Sequence, residues 1–147
     1  MVLEVTELSD KGFRPYGLIL KPNASSHLAS FATDEFDFYI LFQEQGATWQ
    51  VGYYIGYATS IDYMERHPNT PEVFVPLSGA PILVVLKDFN SQEIPIAFRL
   101  DKPVVINRGV WHNVISASGK SEILIIESMD VVDEQKKLPF DLTVLSL

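Results

Sequence analysis

Apolar and polar residues alternate over short stretches of this chain, and those stretches are rich in β-branched and aromatic side chains. The pattern predicts strands at residues 39–42, 48–58, 73–75, 82–86, 94–99, 104–106, 110–116, 122–127 and 142–145. The separators are turn-formers: Ser78-Gly79-Ala80-Pro81, Asp88-Phe89-Asn90-Ser91, Asn107-Arg108-Gly109 and Ala117-Ser118-Gly119-Lys120. Helical signals are few. Residues 9–13 predict one short turn capped by Ser9, and 129–137 predict a second short helix from a weaker pattern. Many short strands with one or two short helices imply an all-β sandwich or barrel, with a jelly roll among the choices. Nine prolines and eight glycines are spread along the chain, which argues for one loop-rich body rather than a linker. At 147 residues the chain is expected to form a single domain spanning 1–147.

Composition narrows the function classes. Hydrophobic residues make up 47% of the chain, enough to bury a core rather than stay disordered. A net charge of −8 would be repelled by nucleic acid and by an anionic membrane surface, so neither is an expected partner. The uncharged stretch 45–61 contains two Gln and three Gly, which fails as a lipid-facing helix. The N-terminus is acidic and lacks the basic start of a signal peptide, so a cytoplasmic location is the default expectation. Without cysteine, disulfides, thiol catalysis and zinc-finger or iron–sulfur sites are excluded. A metal site must then use carboxylates and the three histidines, His27, His67 and His112.

Two clusters carry the ionisable chemistry. In Glu65-Arg66-His67-Pro68-Asn69-Thr70-Pro71-Glu72, two carboxylates and a histidine fall within eight residues. The Pro-Asn-Thr-Pro segment is a turn signal, and a turn there would fold His67 back towards Glu72. Glu72, Phe74 and Pro76 would share one strand face, as would Glu65 and His67. Imidazole nitrogen with carboxylate oxygen suits a divalent metal ion such as Mn, Fe, Ni or Zn. The second cluster, Asn107-Arg108-Gly109-Val110-Trp111-His112-Asn113, leads from a turn into a strand. His112, Val114 and Ser116 would face one way and Trp111 the other. His112 would complete a ligand set of two histidines and two carboxylates that leaves positions open for catalysis. Plainer roles stand beside these. Glu65 can be a turn acid and Glu72 a strand-edge charge facing water. Arg66 and Arg108 can be solvated, paired with acids, or clamps for a substrate carboxylate. Phe74 and Trp111 suit a core, Tyr53, Tyr54 and Tyr57 suit a strand face, and His27 suits an exposed loop.

The order and spacing of His67, Glu72 and Gly79 resemble the first cupin motif, with Glu65 where that motif begins on histidine. Gly109 and His112 resemble the second cupin motif, with Asp101, Asn107 and Ser116 where Gly, Pro and Asn are usual. Three ordered blocks resemble the ureidoglycolate lyase family, once called ureidoglycolate hydrolases, whose members are cupins. They are Phe13-Arg14-Pro15-Tyr16-Gly17, Glu65-Arg66-His67-Pro68 with Phe74-Val75-Pro76-Leu77, and Arg108-Gly109-Val110-Trp111-His112. The family commonly has Gln at the place of Glu72 and His at that of Asn113. Members also carry an Asn-Arg pair ahead of the Glu-Arg-His-Pro block, where this chain reads Tyr54-Ile55-Gly56-Tyr57-Ala58.

This resemblance implies a cupin-type jelly roll and a lyase that splits ureidoglycolate into glyoxylate and urea, a step in allantoin degradation within purine metabolism. It implies metal ligation by Glu65, His67, Glu72 and His112, with catalytic roles for Glu65, Arg66 and Arg108. The expected partner is a small anionic metabolite. A homodimer is also expected, with residues 1–8 able to serve a sheet edge. Another metal-dependent cupin enzyme, an isomerase or dioxygenase, and a non-catalytic small-molecule-binding cupin are the alternatives.

Overall fold

A computed structural model describes residues 1–22, 28–46, 48–90 and 92–145, so His27 lies outside the described residues. The elements in order are β1 (Val2–Leu3), β2 (Val5–Thr6), α1 (Asp10–Phe13), β3 (Gly17–Ile19), β4 (Phe31–Ala32), β5 (Asp37–Phe38), β6 (Gln50–Gly56), β7 (Ile61–Arg66), β8 (Glu72–Leu86), β9 (Ile96–Arg99), β10 (Val104–Ile106), β11 (Trp111–Glu127) and β12 (Glu134–Val144). Ten of the strands make one sheet whose path runs β1-β12-β7-β11-β8-β10-β3, while β6 joins β11, β9 joins β8 and β2 joins β9. The result is a nearly closed β-barrel, as the strand pattern predicts, and it is consistent with the cupin-type jelly roll that the motif resemblance implies. β4 and β5 form a separate two-stranded hairpin.

β8 and β11 are the spine, and each separates two cores. Residues 82–86 are buried on both faces, which is why they read as an unbroken apolar run rather than an alternating one. Leu83 and Val85 pack with Phe13, Phe74, Phe98, Val114 and Ile123. Ile82, Val84 and Leu86 pack on the other side with Met64, Trp111, Ile115 and Leu142. The predicted opposition of Trp111 to Val114 therefore holds. α1 is the capped turn expected near residue 9: Ser9 Oγ accepts from the Gly12 N–H at 3.1 Å. The turn drops Phe13 into the core, edge-on to Phe98 at 5.3 Å.

Three expectations fail. The separators 78–81 and 117–120 do not divide strands, because β8 and β11 both run through them. A turn reverses the chain only when its flanks pair with each other. Here each flank pairs instead with the neighbouring long strand, so the two strands bend together. Gly79 (φ +80°) and Gly119 (φ +87°) supply the left-handed residues, and the register jumps between Ser116↔Pro81 and Ser121↔Gly79. The predicted helix 129–137 is absent, and β12 takes its second half. Glu134, Gln135, Lys136 and Lys137 pair with β7, while Leu138 and Leu142 reach the second core. Tertiary pairing overrides a weak helical pattern. The predicted strand 39–42 is not formed, and β3, β4, β5 and β7 fall outside the predicted strands. β1 lies parallel to β12 and β2 parallel to β9, so the N-terminal strands are paired within the chain. Among the described residues no helix is long and apolar enough to cross a membrane.

Candidate metal centre

β7 delivers Glu65 at the register position opposite His112 of β11. His67 follows just beyond β7, and the Pro68-Asn69-Thr70-Pro71 turn sends the chain back so that Glu72 opens β8. The turn does what its composition predicts: His67 Nε2 lies 2.5 Å from Glu72 Oε2. His112 Nε2 lies 3.3 Å from the same oxygen and 3.9 Å from Glu65 Oε1. His67, Glu72 and His112 are buried, while Glu65 is partly open to solvent. Burial excludes a water-facing strand-edge role for Glu72.

The far sides of both rings are held. His112 Nδ1 donates to the Val110 carbonyl at 3.0 Å, and His67 Nδ1 faces Asp133 Oδ1 at 2.7 Å. A ring whose Nδ1 carries the proton presents a bare lone pair at Nε2, and this is how metal-ligating histidines are oriented. His67 Nε2, Glu72 Oε2 and His112 Nε2 are buried without hydrogen-bond partners. Facing lone pairs in a dry site are costly unless a proton or cation lies between them. The donor chemistry and the unsatisfied atoms both fit a divalent ion.

Two overlapping sets bring ligand atoms within 4.8 Å of one another: Glu65, His67 and His112, and His67, Glu72 and Glu127. Glu127 and Asp133 escaped the sequence reading. Glu127 looked like the end of a strand, and its nearness to Glu72 depends on a strand register that one sequence does not reveal. Asp133 lay in the segment expected to be helical.

Charges shape the site. Burial disfavours a charged His67, but the contact and charge of Glu72, with Asp133 and Glu65 behind it, outweigh this and raise its pKa to about 9. Burial likewise pushes Glu72 up, yet His112 and His67 outweigh it and lower the carboxyl to about 2. Burial raises both Glu65 and Glu127.

The arginines stand apart from this core. Arg66 points to the opposite face of β7, where its Nε donates to Glu134 at 2.7 Å and its guanidinium lies 4.7 Å from the Trp111 ring centre. Arg108 donates from Nε to the Asn69 carbonyl at 2.9 Å and pairs through Nη2 with Glu44. Glu44, Trp49, Thr70, Glu127 and Asp130 line a cleft of about 410 Å³ beside the buried centre. Phe74 packs edge-on to His112 at 5.8 Å, a core role that also braces a ligand ring.

The ureidoglycolate lyase family model matches residues 1–144. A ureidoglycolate lyase of Rhizobium etli is 30% identical over 138 residues, covering 85% of this chain and 83% of its own. One from Brucella ovis is 31% identical over 139 residues, covering 85% and 82%. Among solved structures, the recombinant pro-11S globulin of pumpkin superposes with a TM-score of 0.48 at 10% identity, over 59% of this chain and 23% of that one.

Proposed function

Because this chain belongs to the ureidoglycolate lyase family, we propose that it splits ureidoglycolate into glyoxylate and urea at the centre formed by Glu65, His67, Glu72 and His112. The observation that carries the reading is that two buried imidazole nitrogens, His67 Nε2 and His112 Nε2, converge on the buried Glu72 Oε2 at 2.5 and 3.3 Å, with no other hydrogen-bond partner, in a chain of this family.

The substrate carbon bears both a hydroxyl and a ureido nitrogen. Removal of the hydroxyl proton lets the oxygen's electron pair close a carbonyl. The carbon–nitrogen bond breaks, and urea leaves after its nitrogen gains a proton. Glu65 is our candidate for taking the hydroxyl proton, since it is the partly open carboxylate of the four and stands beside His112. His67, Glu72 and His112 would hold a divalent ion, which when bound supplies Lewis-acid stabilisation of the charge developing on oxygen. Arg108 is our candidate for the substrate carboxylate, with Glu44 as its resting partner at the cleft wall. It supplies the local positive charge that a chain of net charge −8 needs to bind an anion. Arg66, tied to Glu134 and Trp111, makes no such contact and would act only by holding β7. Replacing Arg108 by alanine is expected to raise KM by about 10–100-fold, the worth of a charge-assisted hydrogen bond, with a smaller change in kcat. Steady-state kinetics of urea release checks this.

One observation favours a second reading, another metal-dependent cupin enzyme such as an isomerase or dioxygenase. The carboxylates Glu65, Glu72, Glu127 and Asp133 surround the two histidines, while the nearest arginines of the two motif blocks pair with Glu134 and Glu44. Elemental analysis coupled to an assay of urea and glyoxylate separates the readings. Bound metal with urea release supports the lyase. Bound metal without urea release supports the second reading. A metal-free protein with saturable ligand binding is a binding cupin and overturns both.

We also propose a place in allantoin degradation, a cytoplasmic location and a homodimer. The absence of cysteine is compatible with a reducing compartment. The outer face of β6 exposes Val51, Tyr53 and Ile55, which supports an apolar contact with a second copy.

A further inference from the structure

Glu127 ends β11 on the face that carries Ile123 and Ile125 into the core. Ile126 pairs with Val73, so the next step along these antiparallel strands sets Glu127 across from Glu72. Two carboxylates placed opposite each other on neighbouring strands repel unless something positive lies between them. Ligand atoms of His67, Glu72 and Glu127 all fall within 4.8 Å of one another. Metal–ligand bonds of about 2.0–2.3 Å put two ligands of one ion within about 4.6 Å, so only slight closing is needed. A cluster of acids alone would not make a site. Here His67, at 5% exposure, and Glu72, at 4%, aim unpartnered atoms at the same place. Glu127 also has an outer support, because Gln50 Nε2 donates to its Oε1 at 3.0 Å. Such a bond orients a ligating carboxylate.

Resting on the metal-centre reading above, we propose that Glu127 is a further ligand of that divalent ion, contributed from the wall of the cleft. Glu127 would then join His67, Glu72 and His112 from the wall of the cleft that Trp49, Thr70 and Asp130 also line, and Glu65 would stay free to act as the base. The mixed nitrogen and oxygen donors suit a first-row ion such as Mn²⁺.

The test is Mn²⁺ titration of the chelator-stripped full-length protein by calorimetry, with the Mn²⁺ electron paramagnetic resonance spectrum as second readout. Glu127→Gln is expected to weaken Mn²⁺ binding by at least about tenfold and to change the spectrum, with partial recovery in Glu127→Asp. Asp130→Asn, on the same cleft but outside the ligand sets, should bind as the parent does. Wild-type affinity and spectrum in Glu127→Gln would overturn the proposal while leaving the metal centre standing. A parent protein that takes up no Mn²⁺, Zn²⁺, Fe²⁺ or Ni²⁺ would overturn the centre and the proposal together. Thermal melting of the stripped variants separates a structural role, which would lower the melting temperature and leave Mn²⁺ affinity intact.

Discussion

Replacing His67 and His112 together by alanine should strip the protein of bound metal and cut urea release by at least about 10³-fold. That is the scale expected when several kcal/mol of charge stabilisation are lost at the reacting oxygen. Each ring presents its Nε2 to Glu72 Oε2, at 2.5 and 3.3 Å, so each single change removes one nitrogen donor of a set that needs both. The changes carry a structural cost too. Glu72 is 4% exposed, and without either imidazole its carboxylate has no opposite charge nearby. Removing one partner of a buried pair costs about 3–5 kcal/mol, so the double variant is to be assayed well below its melting point. Adding Glu72→Gln to the double change removes that stranded charge and should restore part of the stability without restoring metal or turnover. Metal content by elemental analysis and urea release by coupled assay give the two readouts. Unchanged values in the double variant would end the assignment of this centre.

The parts of the site that were legible in the sequence are those set by local chain geometry. His67 comes to Glu72 because two prolines bracket a four-residue turn, and turn chemistry can be read from four residues. Glu65 and His67 share a face because strand periodicity is two. His112 was found by its spacing within a motif, and its pairing opposite Glu65 agrees with that placement. Glu127 and Asp133 reach His67 across 60 and more residues, through the β11–β8 register and the path into β12. Alternation says which way a side chain points but not which strand lies beside it. The same limit explains the long strands. Ser78-Gly79-Ala80-Pro81 and Ala117-Ser118-Gly119-Lys120 look like chain reversals singly, and only their juxtaposition shows them to be one shared corner of the barrel. The segment 129–137 misled for a related reason. Its charged residues have partners on β7 that no local window contains, including the Arg66–Glu134 pair at 2.7 Å.

Stripping the metal should also set the direction in which stability follows pH. In the metal-free protein the pKa of His67 rises from 6.5 to about 9, because Glu72, Asp133 and Glu65 favour its charged form more than burial disfavours it. A group whose pKa is higher in the folded state binds its proton more tightly there, so unfolding releases protons at intermediate pH. The stabilisation is complete below pH 6.5 and is lost as the pH climbs through about 9. A shift of that size corresponds to about 3 kcal/mol, and the depression of Glu72 to about 2 is the same interaction seen from its partner, so it is counted once. Burial raises Glu65 and Glu127, which adds a loss of the same sign as the pH rises above the ordinary carboxyl range. The chelated protein should therefore melt at progressively lower temperature from pH 6.5 to 9. Saturating Mn²⁺ should raise the melting temperature by an amount that grows with pH over the same range. A ligating imidazole must give up its proton, so the ion binds more tightly as the pH rises and stabilises the folded state by mass action. Melting curves with and without Mn²⁺ across that range check both signs. A chelated protein whose melting temperature holds level or rises over the range would show that the 2.5 Å contact with Glu72 does not keep His67 charged.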